Sequence, residues 1–121
     1  MSRKTGIDQV RAMGVCLFNE ARYFESHEAF EDVWRLSTGA DRALYQGLVQ
    51  ACAGLLKHQQ GRRAGARTLL AKSLANLARA GGHGWPELDL AGLVAQLTTT
   101  AQSLDQDTTC SSPRISLSTS R

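Results

Sequence analysis

The sequence predicts an all-α protein, a compact bundle of about five helices followed by a disordered C-terminal tail. Apolar residues recur at helical spacing in five successive stretches, in a chain of 121 residues that is 42% hydrophobic. No stretch shows sustained alternation of apolar and polar residues, so a sheet is not expected. The expected organisation is one helical domain over residues 1–104 and a flexible tail over 105–121, because that tail is polar and rich in Ser and Thr.

The first two helices are expected at residues 7–22 and from about 26 to 36. Ile7, Val10 and Leu17 share one apolar face of the first helix at the spacing of helical turns. Ser26 is the expected N-cap of the second helix, because a serine hydroxyl can accept a hydrogen bond from a free backbone N–H. Residues 37–39, Ser-Thr-Gly, indicate where that helix stops.

The third helix, over residues 41–60, is expected to lie at the centre, because apolar residues cover a wide part of its circumference. Gly47 and Gly54 would let a neighbouring helix approach closely, at a cost in helix propensity. Gly61 separates it from a fourth helix over 63–80, and the run 81–86 is a loop. Asp89 is the expected cap of a fifth helix that reaches about residue 104.

The second helix carries polar residues on the stripe that it should bury. Positions three, four and seven residues after His27 are Phe30, Glu31 and Trp34, with Phe24 one turn earlier. The aromatic residues should be buried, so His27 and Glu31 are expected to point inward beside them. A buried carboxylate needs a donor, a cation or a proton. This helix is therefore expected to contribute to a polar site.

The partners of these polar residues are expected from the third helix, where Gln46 and Gln50 form an amide pair four residues apart. We therefore predict that polar side chains of the first three helices meet in one pocket that Phe24 and Tyr45 also line. The predicted pocket residues are Asn19, Tyr23, His27, Glu31, Trp34, Gln46, Gln50 and His58.

Two interpretations of this pocket stay open. In the first, His27, Glu31 and a glutamine or arginine satisfy one another as a structural network. In the second, the pattern H-E-x-x-E from His27 to Glu31 resembles the helix of zinc proteases, in which the first and last side chains bind the metal. A divalent metal would then be held by His27, Glu31 and His58, and Glu28 would be the catalytic base.

Charge is distributed unevenly along the chain. Seven basic residues and no acid lie between residues 42 and 86, whereas residues 1–41 hold seven acids and five bases. An acidic first half that packs against a basic second half would explain this. Alternatively, the loop and helix start at Arg62, Arg63 and Arg67 bind an anion such as phosphate or RNA. Few aromatics accompany the basic residues, which argues against nucleic acid.

The remaining features predict a cytoplasmic protein. Cys16, Cys52 and Cys110 are odd in number and form no CxxC pair, so they fit reduced thiols better than disulfides or a zinc site. The N-terminus lacks the apolar region of a signal peptide. No stretch approaches the roughly 20 apolar residues of a membrane span. The sequence leaves the oligomeric state open.

Two blocks of residues resemble a known family. The first contains Phe18-Asn19, Tyr23-Phe24, His27-Glu28, Glu31-Asp32 and Trp34-Arg35. The second contains residues 46–51 (QGLVQA), His58, Gly61, and Gly65-Ala66 before Leu69-Leu70. Together they resemble the two motifs of the domain of unknown function 309 family over about residues 15–75. The resemblance implies a small, soluble, all-helical prokaryotic protein and no particular reaction. Arg62 departs from the family pattern, which usually has asparagine there.

Three functions are consistent with the sequence. The first is a binding or structural module in which the polar cluster locks the conformation. The second is a hydrolase that uses a metal or general acid/base catalysis at His27, Glu28, Glu31 and His58. The third is an accessory domain that binds phosphate or RNA through Arg62, Arg63 and Arg67.

Overall fold

A computed structural model describes residues 3–106, of which 3–5 by backbone alone, and 110–118. These residues form five helices, which confirms the predicted all-α class. The helices are α1 (Arg3–Asn19), α2 (Tyr23–Arg35), α3 (Gly39–Gln59), α4 (Arg63–Ala80) and α5 (Leu90–Gln106). The helix α3 packs against both α2 and α4, while α1 packs on α2 and α5 on α4. The predicted central position of the third helix is therefore confirmed.

Two of the turns between helices end in the same way. At the end of α1 the N–H of Arg22 donates to the carbonyl of Leu17 at 2.9 Å, and Ala21 has a φ of 60°. At the end of α3 the N–H of Arg62 donates to Lys57 at 2.9 Å, and Gly61 has a φ of 74°. A left-handed residue followed by this hydrogen bond is a common helix stop. Glycine takes that conformation at no steric cost, which is why the sequence located the second stop.

The start of α2 differs from the prediction. The helix begins at Tyr23, its N-cap is Arg22, and no side chain caps it. Ser26 instead lies inside the helix, fully buried, where its hydroxyl donates to the carbonyl of Gly14 at 2.8 Å. Serine is favoured at helix starts because it can bond to nearby backbone. Here the bonded backbone belongs to another helix, so Ser26 joins α2 to α1.

The start of α5 agrees with the prediction. The carboxylate of Asp89 accepts a hydrogen bond from the N–H of Gly92, three residues further along, at 3.0 Å. This contact satisfies one of the free N–H groups at the helix start, and a negative charge is favourable there. The predicted loop before it is also present, and Trp85 of that loop is buried against the bundle.

The tail prediction needs correction over residues 110–118. This segment runs in an extended conformation back over the bundle, and Pro113 and Ile115 are buried. Leu117 pairs with Leu88 in an antiparallel bridge. A polar composition predicted disorder, but two apolar side chains and backbone hydrogen bonds fasten this segment. Residues 107–109 and 119–121 of the predicted tail lie outside the described residues.

Ion pairs at the surface are mostly local. Asp8 pairs with Arg11, and Glu31 with Arg35, each within about one turn of its own helix. Glu25 pairs with Arg22, the residue just before α2. In the basic half, Arg67 pairs with Asp105 of α5 at 2.7 Å. None of these pairs joins residues 1–41 to residues 42–86. Exposed pairs such as that of Glu25 with Arg22 contribute little to stability. Among the described residues, no helix is long and apolar enough to cross a bilayer.

Candidate functional site

The residues predicted to form one pocket lie in separate places, and α2 shows this first. Its buried face consists of Tyr23, Ser26, Ala29, Phe30 and Val33. His27 is on the flank of that face, where its ring stacks on Phe24, and its buried Nδ1 has no hydrogen-bond partner. Glu31 is partly buried and pairs with Arg35 of its own helix. Of the predicted network of His27, Glu31 and a glutamine or arginine, the described residues thus show the pairing of Glu31 with an arginine, Arg35, but no hydrogen bond from His27 Nδ1.

The other predicted pocket residues point to three further neighbourhoods. Gln50 turns towards α4, where its side-chain oxygen accepts a hydrogen bond from Asn76 at 2.7 Å. The guanidinium of Arg42 lies over the Trp34 ring at 4.2 Å. Gln46 lies beside the same arginine, in a shallow recess between the start of α3 and the end of α4.

Asn19, Tyr23 and His58 belong to the neighbourhood of the extended segment. Both side-chain polar atoms of Asn19 bond the backbone of Ile115. Tyr23 and His58 line a recess of about 60 Å³ that the segment covers. The segment was not expected to be folded, so its competition for these side chains could not be predicted.

The predicted metal ligands do not form a coordination set. Within residues 3–106 and 110–118, no group of three His, Cys, Asp or Glu is placed to hold a metal ion. His27, Glu31 and His58 are therefore not placed as a ligand set, and His58 is exposed near the end of α3. Glu28, the predicted base, is exposed on α2. Arg62, Arg63 and Arg67, the predicted anion ligands, are exposed at the start of α4, and Arg67 pairs with Asp105.

Cys52 is buried in α3, where the hydroxyl of Ser26 accepts a hydrogen bond from its thiol at 3.4 Å. Burial raises the pKa of Cys52 to about 12. The thiol is therefore protonated at neutral pH, and thiolate is the form of cysteine that reacts as a nucleophile. Cys52 acts as a core residue.

A polar cluster that the sequence analysis did not predict lies between α1, α3 and the loop 81–89. Its centre is Arg11, whose side chain is only 15% exposed. The guanidinium donates to the hydroxyl of Tyr45 at 2.9 Å and to the carbonyl of Gly84 at 3.3 Å, and it pairs with Asp8. It also lies over the ring of Trp85, 4.9 Å from the centroid. This one side chain therefore connects two helices and the loop.

Tyr45 completes the cluster. Its hydroxyl accepts from Arg11 and donates to the carbonyl of Gly84 at 3.1 Å, so both of its polar functions are used. Burial raises the pKa of Tyr45, and the neighbouring Arg11 offsets part of that rise. Gly84 has a φ of 94°, and a Cβ at this position would lie 3.0 Å from an oxygen of Asp41. The glycine thus lets the loop approach the start of α3.

Beside this cluster is an open cleft of about 470 Å³, which falls in the size range of small-molecule sites. The apolar part of its lining, here called the apolar wall, comes from Ile7, Val33 and Leu36. The lining also includes the carboxylates of Asp8 and Asp41. Among the described residues, Asp41 has no hydrogen-bond or ion-pair partner, whereas Asp8 is paired with Arg11. The cleft therefore combines an apolar wall with one unpaired negative charge.

Residues 12–69 match the family described as domain of unknown function, DUF309. This region of the chain belongs to the DUF309 family. A comparison with curated proteins finds no match. The DUF309 region supplies Val33, Leu36, Asp41 and Tyr45 to the cleft, while Asp8 and Arg11 precede it and Gly84 follows it. The cleft is thus built partly from the DUF309 region and partly from its flanks.

A signal for this cluster was present in the sequence. Arg11 lies four residues after Ile7 and three before Gly14, so it borders the apolar face of the first helix. A charged residue at such a position requires a partner, as Glu31 does. The partners of Arg11, Tyr45 and Gly84, are 34 and 73 residues away. The sequence therefore indicates that Arg11 needs a partner, but it does not indicate that the partners are Tyr45 and Gly84.

Replacement of Tyr45 by phenylalanine should lower the free energy of unfolding by about 1 kcal/mol, the usual net value of one intramolecular hydrogen bond. The loss stays modest because Arg11 still donates to Gly84 directly. Urea unfolding followed by circular dichroism measures it. An unchanged midpoint in Tyr45→Phe would show that the cluster does not stabilise the fold.

Proposed function

We propose that this protein is a ligand-binding module, and that its cleft binds a small molecule that carries a protonated amino group and a short apolar part. The observation that carries the proposal is the unpaired carboxylate of Asp41 in a cleft whose lining also has an apolar part. A carboxylate without a protein partner favours a cationic hydrogen-bond donor, and such charge-assisted hydrogen bonds are stronger than neutral ones. The apolar wall favours the hydrocarbon part of the same ligand.

The surrounding cluster supports binding because it fixes the walls of the cleft. Arg11 and Tyr45 bond to Gly84 and to each other, so these three lining residues are held in place before a ligand arrives. Preorganisation reduces the entropy that binding would otherwise cost. Arg11 is committed to these contacts and to Asp8, so it neutralises Asp8 and leaves the charge of Asp41 available.

Binding is favoured over catalysis. A metal-assisted hydrolase at His27, Glu31 and His58 has no assembled ligand set among the described residues. The alternative function is binding of phosphate or RNA. It is supported by the exposure of the arginines at the start of α4. That alternative predicts binding that weakens steeply with added salt.

A cytoplasmic location is also part of the proposal. The three cysteines are free, as in proteins of reducing compartments. Separation of cell fractions with an antibody against the chain tests this location.

The test of the cleft is a titration of the full chain with butylammonium, followed by the shifts of backbone amide signals in NMR spectra. Signals of Leu36, Ser37 and Asp41 should shift, and Asp41→Asn should weaken binding about two- to fivefold, since an exposed ion pair contributes about 0.5–1 kcal/mol. Asp32→Asn is the matched control, because Asp32 is exposed on α2 and paired with Arg35. Equal shifts with butanoate, or no loss in Asp41→Asn, would overturn the proposal.

A further inference from the structure

The extended segment 110–118 is held through its backbone by two side-chain amides. The Asn19 oxygen accepts from the N–H of Ile115 at 2.8 Å, and the Asn19 nitrogen donates to the carbonyl of the same residue at 3.0 Å. Gln96 bonds the N–H and the carbonyl of Arg114 in the same way, at 2.8 and 3.0 Å. Each amide thus recognises one residue of extended backbone, whatever its side chain.

Further along, the segment pairs with the loop before α5 as a strand would. The N–H of Asp89 donates to the carbonyl of Ser116 at 2.9 Å, and the N–H of Ser118 donates to the carbonyl of Glu87 at 2.8 Å. Addition of a strand to an exposed backbone edge is a general mode of peptide recognition. Residues 87–89 provide that edge here.

The side chains of the segment alternate between the groove and solvent. Pro113 and Ile115 are buried, and Ile115 is 3% exposed, whereas Arg114 and Ser116 are exposed. Alternation is what an extended chain imposes, since successive side chains point to opposite sides. The groove therefore buries two apolar side chains and binds the segment mainly through its backbone. Two exposed side chains add long contacts, from Arg114 to the carbonyl of Asn19 and from Ser118 to the carbonyl of Glu87, each at 3.4 Å.

We propose that the groove formed by Asn19, Gln96 and residues 87–89 is a binding site for an extended peptide segment of another protein, and that segment 110–118 occupies it as an internal ligand. The partner segment carries a proline and, two residues later, a branched aliphatic residue. This site is separate from the cleft at Asp41 and does not depend on it.

The internal ligand sets the affinity that a partner must exceed. Because segment 110–118 belongs to the same chain, its effective concentration at the groove is about a millimolar. Even with a low intrinsic affinity, it therefore outcompetes peptides that bind the groove weakly. Its holding contacts lie mostly at the protein surface, where segments open more readily than the core does. A partner that matches both pockets would therefore displace it.

The test uses the full chain and a fluorescent peptide with the sequence of residues 111–118, SSPRISLS. In the variant Ile115→Asp, the internal segment can no longer fill its pocket, so the groove is available. The peptide should bind this variant at least about tenfold more tightly than the wild-type chain, in which the tethered segment competes. Fluorescence anisotropy measures both affinities.

Two controls identify the groove. The double variant Asn19→Ala, Ile115→Asp should lose most of the binding, because the amide that recognises the backbone is gone. A peptide with aspartate in place of its isoleucine should bind neither chain. Asp41→Asn placed in the Ile115→Asp background should leave peptide affinity unchanged, so failure here and failure of the cleft proposal are distinguishable.

Circular dichroism first establishes that Ile115→Asp is folded, and Ile115→Ala replaces it if it is not. A folded variant that does not bind the peptide, or that binds it no better than the wild type does, would overturn the proposal. Assembly into a dimer that excludes the peptide would identify a second copy as the occupant and would also overturn it.

Discussion

Phe30→Ala should lower the free energy of unfolding by about 3–5 kcal/mol, the usual cost of deleting a fully buried phenylalanine. Phe30 is 0% exposed, and its ring lies 6.3 Å from that of Trp85, centroid to centroid. The ring also occupies the space next to Gly14, where an added Cβ would lie 2.8 Å from two ring atoms. Rigid helix backbone on one side and Trp85 on the other prevent the cavity from closing. Urea unfolding measures the loss.

The matched control is Phe24→Ala, on the same helix. Phe24 is 56% exposed and stacks on His27, so its removal should change stability by no more than about 0.5 kcal/mol. If both variants lost the same stability, α2 would have a different orientation about its own axis.

This pair of residues also shows what the sequence of α2 could not decide. The helix offers two stripes at helical spacing, one through Tyr23, Phe30 and Val33 and one through Phe24 and Trp34. Both contain aromatic residues, so hydrophobicity alone does not choose between them. In the observed orientation Ser26 is buried and bonds to Gly14 of α1. That contact depends on the neighbouring helix, so it could not be predicted from the sequence of α2 alone.

The elements that were predicted well are those with local signals. The helix α4 has the predicted bounds, because glycines lie at both of its ends and Gly81 takes the left-handed conformation that stops it. The start of α5 was predicted from Asp89, because a capping carboxylate is also a local signal. Local signals of this kind need only a few residues of sequence.

The site was predicted poorly because its contacts are distant in sequence. Asn19 was expected to face α3, but it bonds Ile115, 96 residues away. The position of Arg11 beside an apolar face is visible in the sequence, but its partners are not. Polar side chains on apolar stripes could be recognised from spacing, whereas their partners depend on the packing of whole helices.

The sequence predicts close approach of a neighbouring helix at Gly47 and Gly54 of α3, and in the structure that helix is α4. An added Cβ on Gly47 would lie 2.7 Å from Cδ2 of Leu77 and 3.2 Å from its backbone nitrogen. At Gly54 the nearest atoms, in Leu70, would be 3.1 Å away. The side chain of Leu77 is itself fully buried, so it has little room to move. Gly47 is therefore the tighter of the two positions.

Gly47→Ala should lower the free energy of unfolding by about 1–3 kcal/mol, because the extra methyl group forces the Leu77 side chain and the backbone of α4 to shift. Alanine favours the helix over glycine by up to about 1 kcal/mol, and this gain offsets only part of the loss. Gly65→Ala isolates the effect of helix propensity, since its Cβ would meet only the flexible Lys57 side chain at 3.6 Å. That control should be stabilised. If Gly47→Ala were stabilised equally in urea unfolding, α3 and α4 would have to lie farther apart, and the helix propensity of glycine alone would account for both variants.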